Sequence, residues 1–374
     1  MKYSFLFFAT LFLMACSSNM QKDSISNKSA NIKYAKGLSI DSLEQFVRVT
    51  LSNPWDNKGK ILSRYYLIKK TDNLTDSIPE DGIVIQIPLQ KVAVSSGTHI
   101  GFIDAFNQLD IIKGICYPDR IFNDTIRARY ERHELQDLGD PFLINMESLI
   151  SLNPEAIIAS GYSEQDEYSK RMKRSGVPVI FINEWMEPSP LGRAEWIKFI
   201  SLLLDNEAEG QAKFNEIERA YLRLSSLTAK AEKKPAILTG ENFRGTWYMP
   251  GGNNWMAQIF RDAGADYYYD LNPSAGSIPL STEEVMSKFY RAPYWFNVNA
   301  ENMDELIATD SKHSFFEAYK AKQIFNNNAQ TNGLANQYWE KGVIEPHVIL
   351  RDYIKILHPE LNIKDPLVYL KQLN

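Results

Sequence analysis

The sequence predicts an α/β protein of two similar lobes with mostly parallel sheets, joined by a long interdomain helix and preceded by an N-terminal β addition. Apolar, β-branched strands alternate with amphipathic helices over residues 89–190, and the same order of elements begins again at 235. Strands that alternate with helices form parallel sheets covered on both faces. The repeated order indicates two similar lobes, with chance agreement of two α/β segments as the alternative.

The amino terminus has the pattern of an export signal. Residues 1–15 combine one lysine with an apolar run too short to span a bilayer. The letters LMAC at 13–16 resemble a bacterial lipobox, in which the cysteine is acylated and becomes the new first residue. We therefore expect Cys16 to carry a lipid anchor, a plain secretory peptide being the alternative. Residues 16–30 are polar and aperiodic, which predicts a disordered tether.

Composition limits what the folded part can be. The chain has 374 residues, 44% of them hydrophobic, so burial can hold the fold without help. It has two cysteines, Cys16 and Cys116, and lipidation of the first leaves no intramolecular disulfide. The formal net charge is -5 and no basic stripe is present, which argues against nucleic acid as a partner.

Four segments follow the tether. Residues 31–88 contain short strands separated by polar turns, which predicts an antiparallel β addition to the first lobe. Residues 89–190 form the first α/β lobe, and residues 235–374 form the second. Between them, 191–234 has apolar residues at helical spacing, with a break near 205–210. The second helix, of about 25 residues, would be roughly 37 Å long and could brace both lobes.

Each lobe carries a glutamate in the first turn of a helix that leads into a buried strand. These are Glu147 and Glu283, and Glu284 next to the latter could exchange with it. The helix dipole stabilises an acidic residue at this position, so either glutamate alone is explained by capping. Two glutamates at equivalent places in two lobes indicate more than capping.

Two α/β lobes joined by a rigid helix on a lipid-anchored chain resemble the solute-binding proteins of bacterial ABC importers that handle ferric siderophores, haem and cobalamin. The resemblance runs from about residue 88 to the end. It implies that Glu147 and Glu283 dock into arginines of a permease dimer. It also implies a monomeric, exported lipoprotein facing the periplasm, which binds a small-molecule metal chelate, has no catalytic residues and needs no cofactor.

In open α/β sheets, ligands bind beyond the carboxyl ends of the strands. In the first lobe, this rule selects His99, Tyr162 and Trp185, although a histidine near a helix start is often structural. In the second lobe, it selects the loop that contains Arg244, Trp247 and Tyr248. Aromatic faces and one cation suit a large planar or anionic chelate. The chain has five histidines and no His-rich loop, so we expect no bare metal site.

These residues favour capture of an iron chelate, a ferric siderophore or haem, because Arg244 would match its negative charge. Cobalamin is the alternative within the same class, since aromatic side chains serve it equally well. An exported hydrolase is a second class, but the chain has neither a G-x-S-x-G nor an H-E-x-x-H motif. A surface receptor that works without a permease is a third class.

Overall fold

The computed structural model of the chain describes residues 28–29, 31–56, 59–72, 78–162, 167–229 and 231–374. The expected α/β architecture of two lobes and a long helix is confirmed. Short 3-10 turns also occur, at Leu109–Ile111, Pro118–Arg120, Glu184–Met186, Ser311–Phe315 and Pro359–Leu361.

A sheet precedes the first lobe. Its strands, in both chain and spatial order, are β1 (Lys28–Ser29), β2 (Leu38–Ser42), β3 (Val47–Ser52), β4 (Ile61–Lys69) and β5 (Ile83–Ile87). The first four pair antiparallel as expected, but β5 pairs parallel to β4. A tight hairpin cannot join parallel strands. The segment 70–82 between β4 and β5 is long enough for the chain to cross back and begin β5 at the same end of the sheet as β4.

The first lobe has a parallel sheet with the spatial order β12-β11-β6-β7-β8. The strands of the lobe are β6 (Val92–Val94), β7 (Ile112–Ile115), β8 (Gln136–Asp137), β9 (Gly139–Asp140), β10 (Leu143–Ile144), β11 (Ala156–Ala159) and β12 (Val179–Phe181). Its helices are α1 (Gly97–Asp104), α2 (Asp124–Glu131), α3 (Met146–Leu152) and α4 (Glu167–Arg174). Strands β9 and β10 form a separate antiparallel pair.

Three helices connect the lobes: α5 (Pro190–Glu195), α6 (Ile197–Leu203) and α7 (Glu207–Thr228). Helix α7 has 22 residues, which corresponds to a length of about 33 Å. Phe214, Ile217 and Tyr221 form its buried stripe at helical spacing. The Tyr221 hydroxyl donates to Asp262 of the second lobe (2.7 Å), so α7 is bonded directly to the lobe that follows it.

The second lobe combines a mixed sheet of order β13-β17-β18-β21, parallel except for β21, with an antiparallel sheet β14-β15-β16 and a β19-β20 pair. The strands are β13 (Ile237–Thr239), β14 (Asn242–Phe243), β15 (Thr246–Pro250), β16 (Ser277–Leu280), β17 (Tyr294–Phe296), β18 (Ile324–Asn326), β19 (Thr331–Asn332), β20 (Ala335–Asn336) and β21 (Lys371–Gln372). The helices are α8 (Trp255–Asp262), α9 (Thr282–Phe289), α10 (Met303–Thr309), α11 (Glu317–Lys320), α12 (Gln337–Glu340) and α13 (Pro346–Leu357).

One hydrophobic cluster runs through both lobes. It includes Val49 of the N-terminal sheet, Ile157 of the first lobe, Phe199 of α6, and Phe260 and Tyr353 of the second lobe. Because apolar burial dominates folding stability, this shared core holds the lobes in a nearly fixed relation. In the parts of the chain that the structure describes, no helix is both long and apolar enough to cross a membrane.

Candidate ligand-binding cleft

A cavity of about 300 Å³ lies between the two lobes. One wall is the carboxyl edge of the first-lobe sheet, formed by Ser95–Thr98 after β6, Cys116 and Tyr117 after β7, and Tyr162 after β11. The facing wall is a second-lobe segment with Leu334, Asn336, Trp339 and Glu340. Ligand sites of α/β proteins occupy this edge, and the cavity is at the small end of their usual size range.

Aromatic rings form a continuous surface on the first-lobe side. The Tyr162 ring lies 4.5 Å from the Phe142 ring and 6.0 Å from the Trp185 ring, measured between centroids. Burial raises the pKa of the Tyr162 phenol, so the side chain stays neutral at physiological pH. Phe142 is 56% exposed and Trp339, on the facing wall, is 54% exposed. Exposed rings on both sides of a cavity are suited to hold a large apolar or flat ligand.

Arg120 is the cation that lines this cavity, in the 3-10 turn that follows β7. Its guanidinium carbon lies 5.2 Å from the centroid of the Tyr117 ring, within range of a cation–π contact. The Tyr117 hydroxyl donates to Asp140 (2.7 Å), which holds the pKa of that carboxyl below its usual range. Among the described residues, no carboxylate lies within ion-pair distance of Arg120. The guanidinium is therefore available to an anionic group of a ligand.

A closing contact joins the two walls beside the cavity. Thr98 Oγ1 donates to the carbonyl oxygen of Trp339 (3.0 Å), and the Phe122 N–H donates to Glu340 Oε2 (2.7 Å). A Cβ on Gly101 would overlap the Glu340 carbonyl oxygen, so this position must be glycine for α1 to meet α12. Burial raises the pKa of the Glu340 carboxyl to about 7, partly offset by the backbone N–H groups of the first lobe.

A buried ion pair joins the first lobe to α5, the first of the connecting helices. Glu184 Oε1 is 3.7 Å from Arg193 Nη2. Burial raises the pKa of Glu184 to about 7, and burial lowers the pKa of Arg193. The Arg193 guanidinium also lies 4.3 Å from the ring centroid of Trp255, the first residue of α8. Arg193 therefore contacts both lobes and helps to set their relative position.

The residues predicted from the first lobe differ in placement. Tyr162 lines the cavity, and the Trp185 ring packs against the Tyr162 ring. His99 is fully buried inside α1, with Nε2 3.4 Å from the Ser160 hydroxyl. Burial lowers its pKa to about 4, so the ring is a neutral core group. The structure thus places His99 in the core and not in the lining of this cavity, contrary to the position expected from the sequence.

The predicted second-lobe residues do not line the cavity. Trp247 is fully buried, stacks on Trp295 at 5.6 Å and donates its indole N–H to Thr239 (2.8 Å). Arg244 and Tyr248 are exposed on the β14-β15 hairpin, where Arg244 has a φ of 53°. The strand rule failed here because the chain after β13 forms an antiparallel hairpin, which carries these residues away from the cavity.

The two glutamates predicted to dock on a permease hold equivalent helix positions. Glu147 is the second residue of α3, Glu283 is the second residue of α9, and both are exposed. Glu284 completes a capping box with Ser281, donating its backbone N–H to the Ser281 hydroxyl and accepting from the Ser281 N–H. The backbone N–H of Glu283, together with Lys312 at 3.3 Å, holds the pKa of the Glu283 carboxyl below its usual range. Helix position therefore matches Glu283, rather than Glu284, to Glu147.

Two further predictions were a lipid anchor on Cys16 and the absence of a site for a bare metal ion. Cys16, the expected site of lipidation, lies outside the described residues. Within the described ranges, no three His, Cys, Asp or Glu side chains come together in the way that metal ligands do.

Sequence reasoning missed much of the cavity, namely Tyr117, Arg120, Phe142, Trp339 and Glu340. Tyr117 and Arg120 had a signal, because they follow the buried strand β7 directly and the strand rule applies to them. The other three had none. They belong to a turn of the first lobe and to a second-lobe segment whose position depends on how the lobes pack.

Comparisons with known proteins agree with this architecture. A family model described as periplasmic binding protein matches residues 117–331. An uncharacterised lipoprotein of Methanocaldococcus jannaschii is 25% identical over 349 residues, which cover 88% of this chain and 82% of that protein.

Two solved structures share the fold. One is a periplasmic haem-binding protein from Pseudomonas aeruginosa (TM-score 0.57, 14% identity, 76% of this chain and 98% of that chain). The other is the periplasmic haem-binding protein RhuT from Roseiflexus sp. RS-1 (TM-score 0.55, 17% identity, 72% and 98%). The chain therefore belongs to the periplasmic binding protein family and is a substrate-binding protein of an ABC transporter, not an enzyme.

Proposed function

We propose that this protein captures an iron chelate, a ferric siderophore or haem, in the interlobe cavity and delivers it to an ABC permease. The observation that carries the proposal is the combination of exposed aromatic rings with Arg120, a cation that has no ion-pair partner within 4 Å among the described residues. Rings contact the flat or apolar parts of a chelate, and the guanidinium pairs with its carboxylate or other anionic oxygens. Arg120 thus takes the part that the sequence assigned to Arg244.

In this proposal, the protein recognises the organic part of the chelate rather than its metal ion. The rings of Tyr162 and Trp339 face the cavity from opposite lobes, so a bound chelate contacts both lobes at once. Such contacts favour the conformation in which Thr98 bonds Trp339 and Phe122 bonds Glu340. The shared core and α7 limit the swing of the lobes, so the difference between open and closed forms is small.

Delivery depends on the two exposed glutamates. Glu147 and Glu283 occupy the same position of corresponding helices, one in each lobe. A permease dimer presents two equivalent sites, and we propose that one glutamate pairs with arginines at each site. Exposed charge pairs of this kind set orientation and association rate more than affinity. Acylation of Cys16 would keep the protein at the membrane that holds the permease.

The test is a titration of intrinsic tryptophan fluorescence in purified protein that begins at residue 17. Haem, cobalamin and a panel of ferric siderophores are added in parallel to wild type and to Trp339→Phe. We expect saturable quenching by one iron chelate, with a smaller amplitude in Trp339→Phe because Trp339 faces the cavity. Saturation by cobalamin alone would replace the iron chelate by the alternative ligand of this class. Absence of saturation by any of them would refute capture of these chelates.

A further inference from the structure

A second pocket lies where the N-terminal sheet meets both lobes. Its volume is about 350 Å³. The lining includes Gly37, Asn53 and Pro54 from the N-terminal sheet region, Asn183 and Met186 from the first lobe, and Ala275 from the second lobe. The family match begins at residue 117. The pocket is thus completed by a part of the chain that lies outside the family match.

Two buried side-chain amides line this pocket with unused donors. Asn53 is 5% exposed and Asn183 is 4% exposed. Asn53 Oδ1 accepts from the Trp55 N–H (3.0 Å), and Asn183 Oδ1 accepts from the Gly161 N–H (2.8 Å). These bonds fix which end of each amide is oxygen. Among the described residues, neither Nδ2 has a hydrogen-bond acceptor.

An unpaired buried donor destabilises the folded state, so one such group calls for a partner and two on one pocket call for it more strongly. Two carboxylates line this pocket, and both have partners. Asp56 Oδ2 lies 3.1 Å from Lys60 Nζ, and Glu187 is also occupied. It accepts from the N–H groups of Lys36 (2.7 Å) and Gly37 (2.9 Å) and from the Trp196 indole (2.9 Å). The pocket therefore offers free donors and no free acceptor from these groups.

This inventory defines the chemistry of a ligand. Two amide donors match carbonyl-type oxygens, as in an amide, ester or hydroxamate. The lining carries Lys36 as well as the carboxylates of Glu187 and Asp56, so charges of both signs surround the pocket and favour a neutral group over an ionised one. Met186, Pro54 and Pro188 supply apolar walls for a small carbon skeleton.

The second pocket adjoins the interlobe cavity. Asn183 bonds Gly161, and the next residue, Tyr162, lines the cavity. Trp55, next to Pro54, lies 3.2 Å from the point where a Cβ on Gly161 would stand. The row of Trp55 and Tyr162 thus separates two neighbouring spaces.

We propose that this pocket is a second binding site, specific for a neutral group rich in carbonyl-type acceptors. Such a group can come from a side arm of the chelate in the cavity, an assignment that rests on the proposed function. It can also come from a separate small molecule. The donors of Asn53 and Asn183 bind it in either case.

The test uses acetohydroxamic acid as the probe and the full-length protein in detergent, with saturation-transfer NMR of the probe methyl group. Asn53→Asp and Asn183→Asp keep the oxygen that caps the backbone but replace the free donor by an acceptor. We expect probe affinity to fall about tenfold in each variant, the equivalent of one lost hydrogen bond. Asn302→Asp, at the N-cap of α10, is the matched control and should bind as wild type does.

A second variant covers the case in which a buried aspartate impairs folding. Ala275 lines the mouth of the pocket and is exposed, so Ala275→Trp should block the site without disturbing the core. No transfer to the probe in wild type, or undiminished transfer in Ala275→Trp, would overturn the proposal.

The same variants identify the source of the group. If the acceptor belongs to the chelate, Ala275→Trp and Asn183→Asp weaken chelate binding as well as probe binding. If chelate binding is unchanged, or if no chelate binds, weaker probe binding in the variants assigns the site to a separate molecule. Failure of the proposed function therefore leaves the probe result interpretable.

Discussion

The closing contact at Glu340 predicts that this carboxyl makes stability fall as pH rises. Its pKa is raised from 4.5 to about 7 in the folded protein, mainly by burial. A group with a raised folded pKa contributes its full stability below the unfolded pKa and loses it as pH rises through the folded value. The affected window therefore runs from about pH 4.5 upward and extends beyond pH 7.

The magnitude follows from the same shift. One pKa unit corresponds to 1.36 kcal/mol, so ionisation of Glu340 in the closed protein would reduce the free energy of unfolding by about 2–3 kcal/mol between pH 5 and pH 9. Glu340→Gln keeps an oxygen that accepts from the Phe122 N–H but cannot ionise. The variant should match wild type at pH 5 and be more stable at pH 9.

The assay is urea unfolding of wild type and Glu340→Gln at both pH values, with the difference between the proteins compared across pH. This comparison removes the contribution of Glu184, whose pKa is also near 7 and which is present in both proteins. Glu284→Gln is the control, because Glu284 caps α9 at the surface. A stability difference for Glu340→Gln that does not change with pH would refute the reasoning.

Three further predictions concern the cavity, the core and the docking surface. Arg120→Ala should weaken binding of an anionic chelate by about tenfold in a fluorescence titration, and by more at low than at high salt. Unchanged affinity would refute the pairing of Arg120 with the chelate. Trp247→Ala should lower the free energy of unfolding by about 3–5 kcal/mol, as measured by denaturant unfolding, whereas Arg244→Ala should alter neither stability nor affinity. A ligand-binding defect in Arg244→Ala would return the β14-β15 hairpin to the site. Glu147→Ala combined with Glu283→Ala should abolish uptake while binding is retained, as measured by accumulation of labelled chelate in cells; unimpaired uptake would favour a receptor that works without a permease.

Elements set by local sequence were predicted well. Helix α7 is visible in the sequence because its apolar residues recur at helical spacing, and in the structure it has 22 residues against the expected 25 or so. The pairing of Glu147 with Glu283 depends on helix position, which the residues around each glutamate determine. In the structure, Glu283 has the helix position that Glu147 has, whereas Glu284 takes part in the capping box.

The composition of the cavity was decided by packing. The chain after β13 forms an antiparallel hairpin. Trp247 therefore lies in the core, and Arg244 is not among the residues that line the cavity. Tyr162, by contrast, follows a parallel strand directly and lies where the strand rule expects it.

The sequence by itself determined the fold class, the long helix α7 between the lobes and the position of one glutamate in each lobe. These features depend on periodicity and capping within a few residues. Only the tertiary structure decided the site. The bond from Phe122 to Glu340 joins residues 218 positions apart, and the second pocket joins three separate parts of the chain. Such contacts arise from the way that preformed elements bury their apolar faces against each other, and no local pattern encodes that arrangement.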